Sequence, residues 1–273
     1  MAIIIFNLPI LQADEEEGPF DEWISHIRVL AKEKGISDKT LESAFKDIER
    51  NERVIELDRK QPEFTLTLDE YLNNTVTKGR MNKGKKHYGE YNDLLIQISK
   101  EFEVQPRFIL ALWGIETSFG RYTGSFNVIR SLSTLSHDLR RRDFFTDELI
   151  NALTIIEQGH IEANDMMGSW AGAMGQNQFM PSSFLSYATD FNNDSKKDIW
   201  NTQSDVFAST ANYLSSSGWN SSETWGREVK VNKEIDPEII TTSAKSIDVS
   251  RKISEWADLG VINVDGTKLP DVN

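Results

Sequence analysis

The stretch Ile109-Leu-Ala-Leu-Trp-Gly-Ile-Glu-Thr-Ser-Phe-Gly120 reads as an apolar helix that carries one carboxylate, Glu116, in its last turn. Pro106 suits the first turn of that helix, where a missing N–H costs nothing, and Ser118 and Gly120 mark the turn that ends it. An acid so placed sits on a rigid element at the edge of whatever cleft the helix faces, which suits a proton donor. The other reading is an ordinary solvated helix end, and position alone favours that one.

Working outward, helical spacing continues on both sides. Upstream, stripes at Tyr91, Leu94, Leu95, Ile98 and Phe102, at Leu68, Tyr71, Leu72 and Val76, and at Phe20, Trp23, Ile24, Ile27, Leu30 and Ala31 each predict a helix. Gly35 closes the last of these, and Ser37 or Asp38 caps a short helix carrying Leu41, Ala44 and Phe45. Pro62 breaks the pattern, and the Gly- and Lys-rich segment 78–89 reads as a loop or a frayed helix. Downstream, 128–136 is a short apolar-polar segment, 144–158 is strongly helical, Pro181 opens another helix, and 205–217 is helical through Val206, Phe207, Thr210, Tyr213 and Leu214. From Glu228 the runs shorten, as in Val229-Lys230-Val231, Ile239-Ile240 and Val261-Ile262-Asn263-Val264, which predicts a small mixed region on a helical body.

Two stretches depart from helical patterning. Gly168-Ser-Trp-Ala-Gly-Ala-Met-Gly-Gln-Asn-Gln-Phe-Met-Pro-Ser-Ser183 packs glycines, small residues, amides and aromatics together, which suits a sugar site or, equally, a tight interhelical turn. Asp190, Asn192, Asp194 and Asp198 place oxygen side chains with EF-hand-like spacing, and the Lys196 carbonyl completes the arc. Ser195 replaces the usual turn glycine, Asn201 holds the twelfth position, and Asp205 is the carboxylate able to supply the missing ligand. A hard-cation site is favoured there over an acidic surface turn.

Composition removes several function classes. A net charge of −13 over 273 residues argues against nucleic-acid binding, and basic groups such as Lys83, Lys85, Lys86 and Arg140 to Arg142 read as solvated faces. With no cysteine, thiol catalysis, thiolate zinc sites and a lipid-modified cysteine are excluded. The four histidines show no ligand spacing, and neither a Gly-x-Ser-x-Gly elbow nor a phosphate-binding loop occurs. The apolar run 2–13 ahead of Asp14-Glu15-Glu16-Glu17 fits a signal peptide ending at Ala13, with a buried strand as the alternative, and no stretch reads as transmembrane.

What remains is acid/base chemistry by a carboxylate. Glycoside cleavage normally uses two acids, yet the next one after Glu116 is Asp138. A sugar whose 2-acetamido group supplies the nucleophile needs only one.

The strings Trp113-Gly-Ile-Glu-Thr-Ser-Phe-Gly120, 168–183, Ala211-Asn-Tyr-Leu214 and Gln61-Pro-Glu-Phe-Thr65 closely resemble the membrane-bound lytic murein transglycosylase B family, glycoside hydrolase family 103. The resemblance implies a mainly α, lysozyme-like helical domain with a small mixed α/β region and an EF-hand-like loop. It also implies cleavage of the MurNAc-GlcNAc β-1,4 bond of peptidoglycan to 1,6-anhydromuramoyl ends. By the same resemblance Glu116 is the acid and then the base, Ser169 positions the acetamido group, Gln178 is a groove hydrogen-bond donor, Tyr213 is a groove wall, and the 190–205 loop holds calcium. Burial beside Trp113 and Phe119 is expected to keep Glu116 protonated near neutral pH. A groove tyrosine of some members falls at His137 or Leu139.

The expected organisation is a signal peptide over 1–13, a helical region over 14–105, a catalytic core over 106–225 and a mixed region over 226–273, truncated relative to the family. The protein is expected to be a soluble, periplasmic monomer whose partner is a glycan strand. The competing function is a peptidoglycan-binding or scaffold protein without turnover.

Overall fold

The computed structural model describes residues 18–60, 67–223, 226–236 and 251–271, and these form two compact units that divide between Asn220 and Ser221. The run 1–13, the break at Pro62 and the pair Ile239-Ile240 lie outside the described residues.

The first unit is built on two apolar clusters. One gathers α1 (Phe20–Glu33), α2 (Asp38–Ala44), α3 (Glu52–Arg59), α8 (Val128–His137), α9 (Arg142–Glu157) and α10 (Pro181–Tyr187). The other joins α6 (Asn92–Phe102), α7 (Pro106–Thr117) and α11 (Gln203–Ser216). The remaining helices of this unit are α4 (Leu68–Thr75) and α5 (Lys78–Glu90). Several helices begin where the capping residues predict. Ser37 accepts the N–H of Thr40 to start α2, and Thr67 and Glu70 form a reciprocal capping box on α4.

Three segments differ from their sequence reading. The Gly- and Lys-rich segment is the helix α5, opened by Thr77 accepting the N–H of Arg80 and packed against α7. The apolar-polar segment is the helix α8, buried on all sides; Ser131, Ser133, Thr134 and Ser136 are each at most 1% exposed. Small hydroxyl residues let neighbouring helices approach, and Thr134 and Ser136 return hydrogen bonds to carbonyls within their own helix. The arginines at 140–142 are part-exposed, as a solvated face requires, but they are also tied down from below. Arg140 and Arg141 pair with buried Asp58, Arg59 bridges Asp58 to Asp138, and Arg142 lies over the ring of Trp23.

Between the helices, β1 (Phe126–Asn127) pairs antiparallel with β2 (Met167–Gly168), and the bridges Gly168 to Met174 and Met174 to Phe179 fold the 168–183 stretch back on itself. In the second unit β3 (Val229–Val231) pairs antiparallel with β4 (Val261–Asn263), and α12 (Ile253–Asp258) packs on β4. This is the mixed pattern that the shortened runs predict. Among the described residues no helix is long and apolar enough to cross a membrane.

Candidate active site

Helix α7 starts at Pro106 and ends in three successive left-handed residues, Ser118, Phe119 and Gly120, with φ of 53°, 64° and 75°. Gly114 in mid-helix leaves room for the Phe119 ring to fold back, since a Cβ there would meet it at 2.8 Å. Phe119 thus packs against Trp113, His87 and Gly84 on the α5 side of the helix. Glu116 lines the groove on the other side and Phe119 does not, so the expectation that Phe119 helps to enclose it is corrected: the left-handed turn after Thr117 swings the ring back over Gly114, which lies two residues before Glu116 and so on the opposite side of the helix.

Glu116 opens into a groove of about 210 Å³ whose walls include Leu112, Trp113, Phe179, Met180 and Tyr213, with Gln176, Asn177, Gln178, Ser183 and Thr210 as its polar lining. The carboxylate is accessible to solvent, yet loss of hydration among these walls raises its pKa above the usual value. Among the described residues lining the groove no other carries a carboxylate, and none makes an ion pair with Glu116.

Three successive amides brace this groove, each to a different part of the fold. Gln176 accepts the indole N–H of Trp113 at 2.7 Å and donates to the carbonyl of Trp200 at 2.9 Å. Asn177 donates to the Val206 carbonyl and to Thr210 Oγ1 in α11, both at 2.7 Å. Gln178, itself left-handed at φ 52°, donates to the carbonyls of Thr123 at 3.1 Å and Gly175 at 2.9 Å. Both amide hydrogens of Gln178 are therefore spent, which leaves Oε1, an acceptor, for a ligand; the donor role expected of this side chain is not the one its geometry offers. Sequence reading singles out Gln178 and passes over Gln176 and Asn177, because their partners lie far off along the chain.

Of the other expected site residues, Tyr213 lines the groove with its ring edge-on to Tyr187 at 5.0 Å and tilted to Phe179 at 5.6 Å. Ser169 is not among the groove-lining residues. Its Oγ accepts the N–H groups of Ala171 and Ala173, at 3.3 and 3.0 Å, and its hydroxyl proton is uncommitted. His137 is buried, with Nε2 2.7 Å from the carbonyl of Gly18, and neither it nor exposed Leu139 lines the groove.

The 190–205 loop turns through its own side chains. Asp190 accepts the N–H groups of Asp194 and Ser195, Asn192 that of Asp194, Asp194 that of Lys196, and Asp198 those of Trp200 and Asn201. Ser195 adopts φ 71°, the left-handed backbone that the glycine of such loops provides. Asp205 is fully buried beneath the loop and accepts the N–H groups of Phe191 and Asp198 at 3.0 Å each. Among the described residues no three acidic or histidine side chains already converge on a metal position.

Comparison with known proteins places these features. Over 150 residues the chain is 34% identical to membrane-bound lytic murein transglycosylase B of Escherichia coli K12, covering 55% of this chain and 41% of that protein's length. SltB3 of Pseudomonas aeruginosa, solved in complex with NAG-NAM-pentapeptide, superposes with a TM-score of 0.87 at 37% identity, over 92% of this chain and 66% of that one. Slt35 of Escherichia coli, solved in complex with calcium, superposes with a TM-score of 0.75 at 25% identity, over 92% of this chain and 76% of that one. The fold is thus the mainly helical, lysozyme-like one that the sequence resemblance implies. The transglycosylase SLT domain model matches residues 19–273, and the chain belongs to that family.

Proposed function

We propose that this chain is a lytic transglycosylase that cleaves the MurNAc-GlcNAc β-1,4 bond of peptidoglycan and leaves 1,6-anhydromuramoyl ends, with Glu116 as its sole acid/base. The observation that carries this reading is a lone carboxylate, its pKa raised by desolvation, in a groove whose other lining is amides, hydroxyls and apolar or aromatic walls. Family membership and the likeness to lytic transglycosylases support it.

In the first step Glu116 donates its proton to the glycosidic oxygen as the C1–O bond breaks, and the substrate's acetamido oxygen closes on C1. In the second, the Glu116 carboxylate takes the proton of the MurNAc 6-hydroxyl, and O6 displaces the acetamido oxygen at C1. Glu116 ends protonated and no water is consumed. The uncommitted proton of Ser169 suits donation to the acetamido group, Gln178 Oε1 suits acceptance from a sugar hydroxyl or N–H, and the Tyr213 ring suits stacking on a sugar face.

The 190–198 loop fits calcium by donor chemistry, all of it oxygen, and by the left-handed Ser195. Asp190, Asn192, Asp194, Asp198 and the Lys196 carbonyl would hold the ion, with Asp205 acting as a clasp beneath. The ion is structural and takes no part in bond cleavage. The substrate lies in the cell wall, so the working compartment is the periplasm, reached by export.

Mass spectrometry of digested peptidoglycan tests the reading. Anhydro-ended muropeptides are expected from the wild type, with none from Glu116→Gln; reducing ends, or full activity of the variant, would overturn it.

A further inference from the structure

Glu116 has no ion pair or charged neighbour in the groove to hold its carboxylate, so its orientation must come from the turn of helix that carries it. The residues on either side of it, Trp113 one turn before and Thr117 directly after, are both tied to one residue. Trp113 Nε1 donates to Gln176 Oε1 at 2.7 Å, and Thr117 Oγ1 donates to the Gln176 main-chain carbonyl at 3.1 Å.

Gln176 is in turn fixed to the exit of the 190–205 loop. Its N–H donates to the Ile199 carbonyl at 2.8 Å and its side-chain amide to the Trp200 carbonyl at 2.9 Å. The side chain is 8% exposed, and the turn after α7 closes directly over it: a Cβ on Gly120 would stand 2.3 Å from Gln176 Oε1. Only a primary amide of this length both accepts from the indole and donates to a carbonyl. A carboxylate would set oxygen against the Trp200 carbonyl, and a thioether would satisfy neither partner.

We propose that Gln176 is the positioning residue for Glu116, holding the last turn of α7 and the Trp113 wall so that the acid meets the glycosidic oxygen. This rests on Glu116 being the acid of the proposed reaction. Gln176 acts through Trp113 and Thr117, and its effect belongs to the chemical step, not to sugar affinity.

The test uses the full chain with Gln176→Met, Trp113→Phe and the double variant, each measured for kcat, KM, the pH dependence of kcat and thermal midpoint. In Gln176→Met, kcat is expected to fall about ten- to hundredfold, as for small misplacements of a reacting group. KM should stay within about twofold, since uniform binding is untouched. Trp113→Phe cuts the same bond from its other end, so the double variant should be no worse than the poorer single one. The alkaline limb of the kcat profile should move to lower pH as the wall beside Glu116 loosens.

Unchanged kcat in a folded Gln176→Met, or independent losses that multiply in the double variant, would overturn the assignment. If Gln176→Met does not fold, Trp113→Phe decides alone, and wild-type kcat there overturns it. An active Glu116→Gln would sink the proposed function itself, whereas an inactive Glu116→Gln beside a fully active Gln176→Met would sink only the positioning role.

Discussion

Glu116 carries a cost that can be measured apart from catalysis. Its pKa is raised in the folded chain by desolvation, so between the ordinary carboxylate value and the raised one the native state binds more protons than the unfolded state. The stability that goes with the protonated form is complete below about pH 4, the ordinary range, and is lost as pH rises through the raised value. Glutamine cannot ionise and escapes that loss. Glu116→Gln should therefore melt higher than wild type at neutral pH while cleaving nothing, and the gain should vanish at about pH 3, where the wild-type acid is also neutral. A thermal midpoint measured against pH for both proteins checks this; an equal gain at both pH values would contradict it. At this scale the sequence displays the lone carboxylate on an apolar helix, a local pattern, but position alone favours a solvated helix end and the acid role comes from the family resemblance. The donor role implied for Gln178 misses the acceptor its geometry offers, since that depends on the carbonyls of Thr123 and Gly175, which only the folded backbone brings to its amide.

Among the elements, an apolar stripe at helical spacing was enough to make a helix legible, even for α4, whose Leu68, Tyr71, Leu72 and Val76 stay exposed. The amphipathic stripes of α1, α6 and α9 match their sequence periodicity, whereas α8 hides serines and threonines that read as surface, and α5 has no buried residue to give it a stripe. Helix α10 shows how a motif can be held by a distant element. Its opening at Pro181 is visible in the sequence, but the group that satisfies its first turn is Glu148 of α9, 4% exposed, which accepts the N–H of Ser182 at 2.9 Å and its hydroxyl at 2.6 Å. Met180 and Ser183, beside that contact, line the groove. Glu148→Leu keeps bulk but leaves the Ser182 N–H buried without an acceptor, which should cost about 1–3 kcal/mol in denaturant unfolding. Cleavage should weaken with it as the 180–183 wall loosens. A change within about 0.5 kcal/mol, the usual range for neutral surface substitutions, would show that solvent satisfies that helix start instead.

Across the molecule, the 190–205 loop is where the proposed cation site would act on global stability. The loop follows α10, its Asp205 clasp belongs to α11, and its exit at Ile199 and Trp200 is bonded to Gln176. The spacing of Asp190, Asn192, Asp194 and Asp198 was readable one residue at a time. Asp205 was readable as a candidate ligand but not as a buried clasp, because its burial and its two N–H donors, Phe191 and Asp198, exist only once α11 packs beneath the loop. A cation that uses this loop binds the native chain and not the unfolded one, so it must raise stability by mass action, about 2.7 kcal/mol at a hundredfold excess over Kd. For a unit of roughly 200 residues that corresponds to a thermal midpoint higher by about 5–10 °C, at 2–4 °C for each kcal/mol. Calcium should produce this rise, a chelator should reverse it, and Asp194→Ala should abolish the response while leaving the calcium-free midpoint close to that of the wild type. A midpoint indifferent to both calcium and chelator would mean that the loop is held by its own Asp and Asn hydrogen bonds alone, and the structural ion would then drop out of the account of how α10 and α11 are joined.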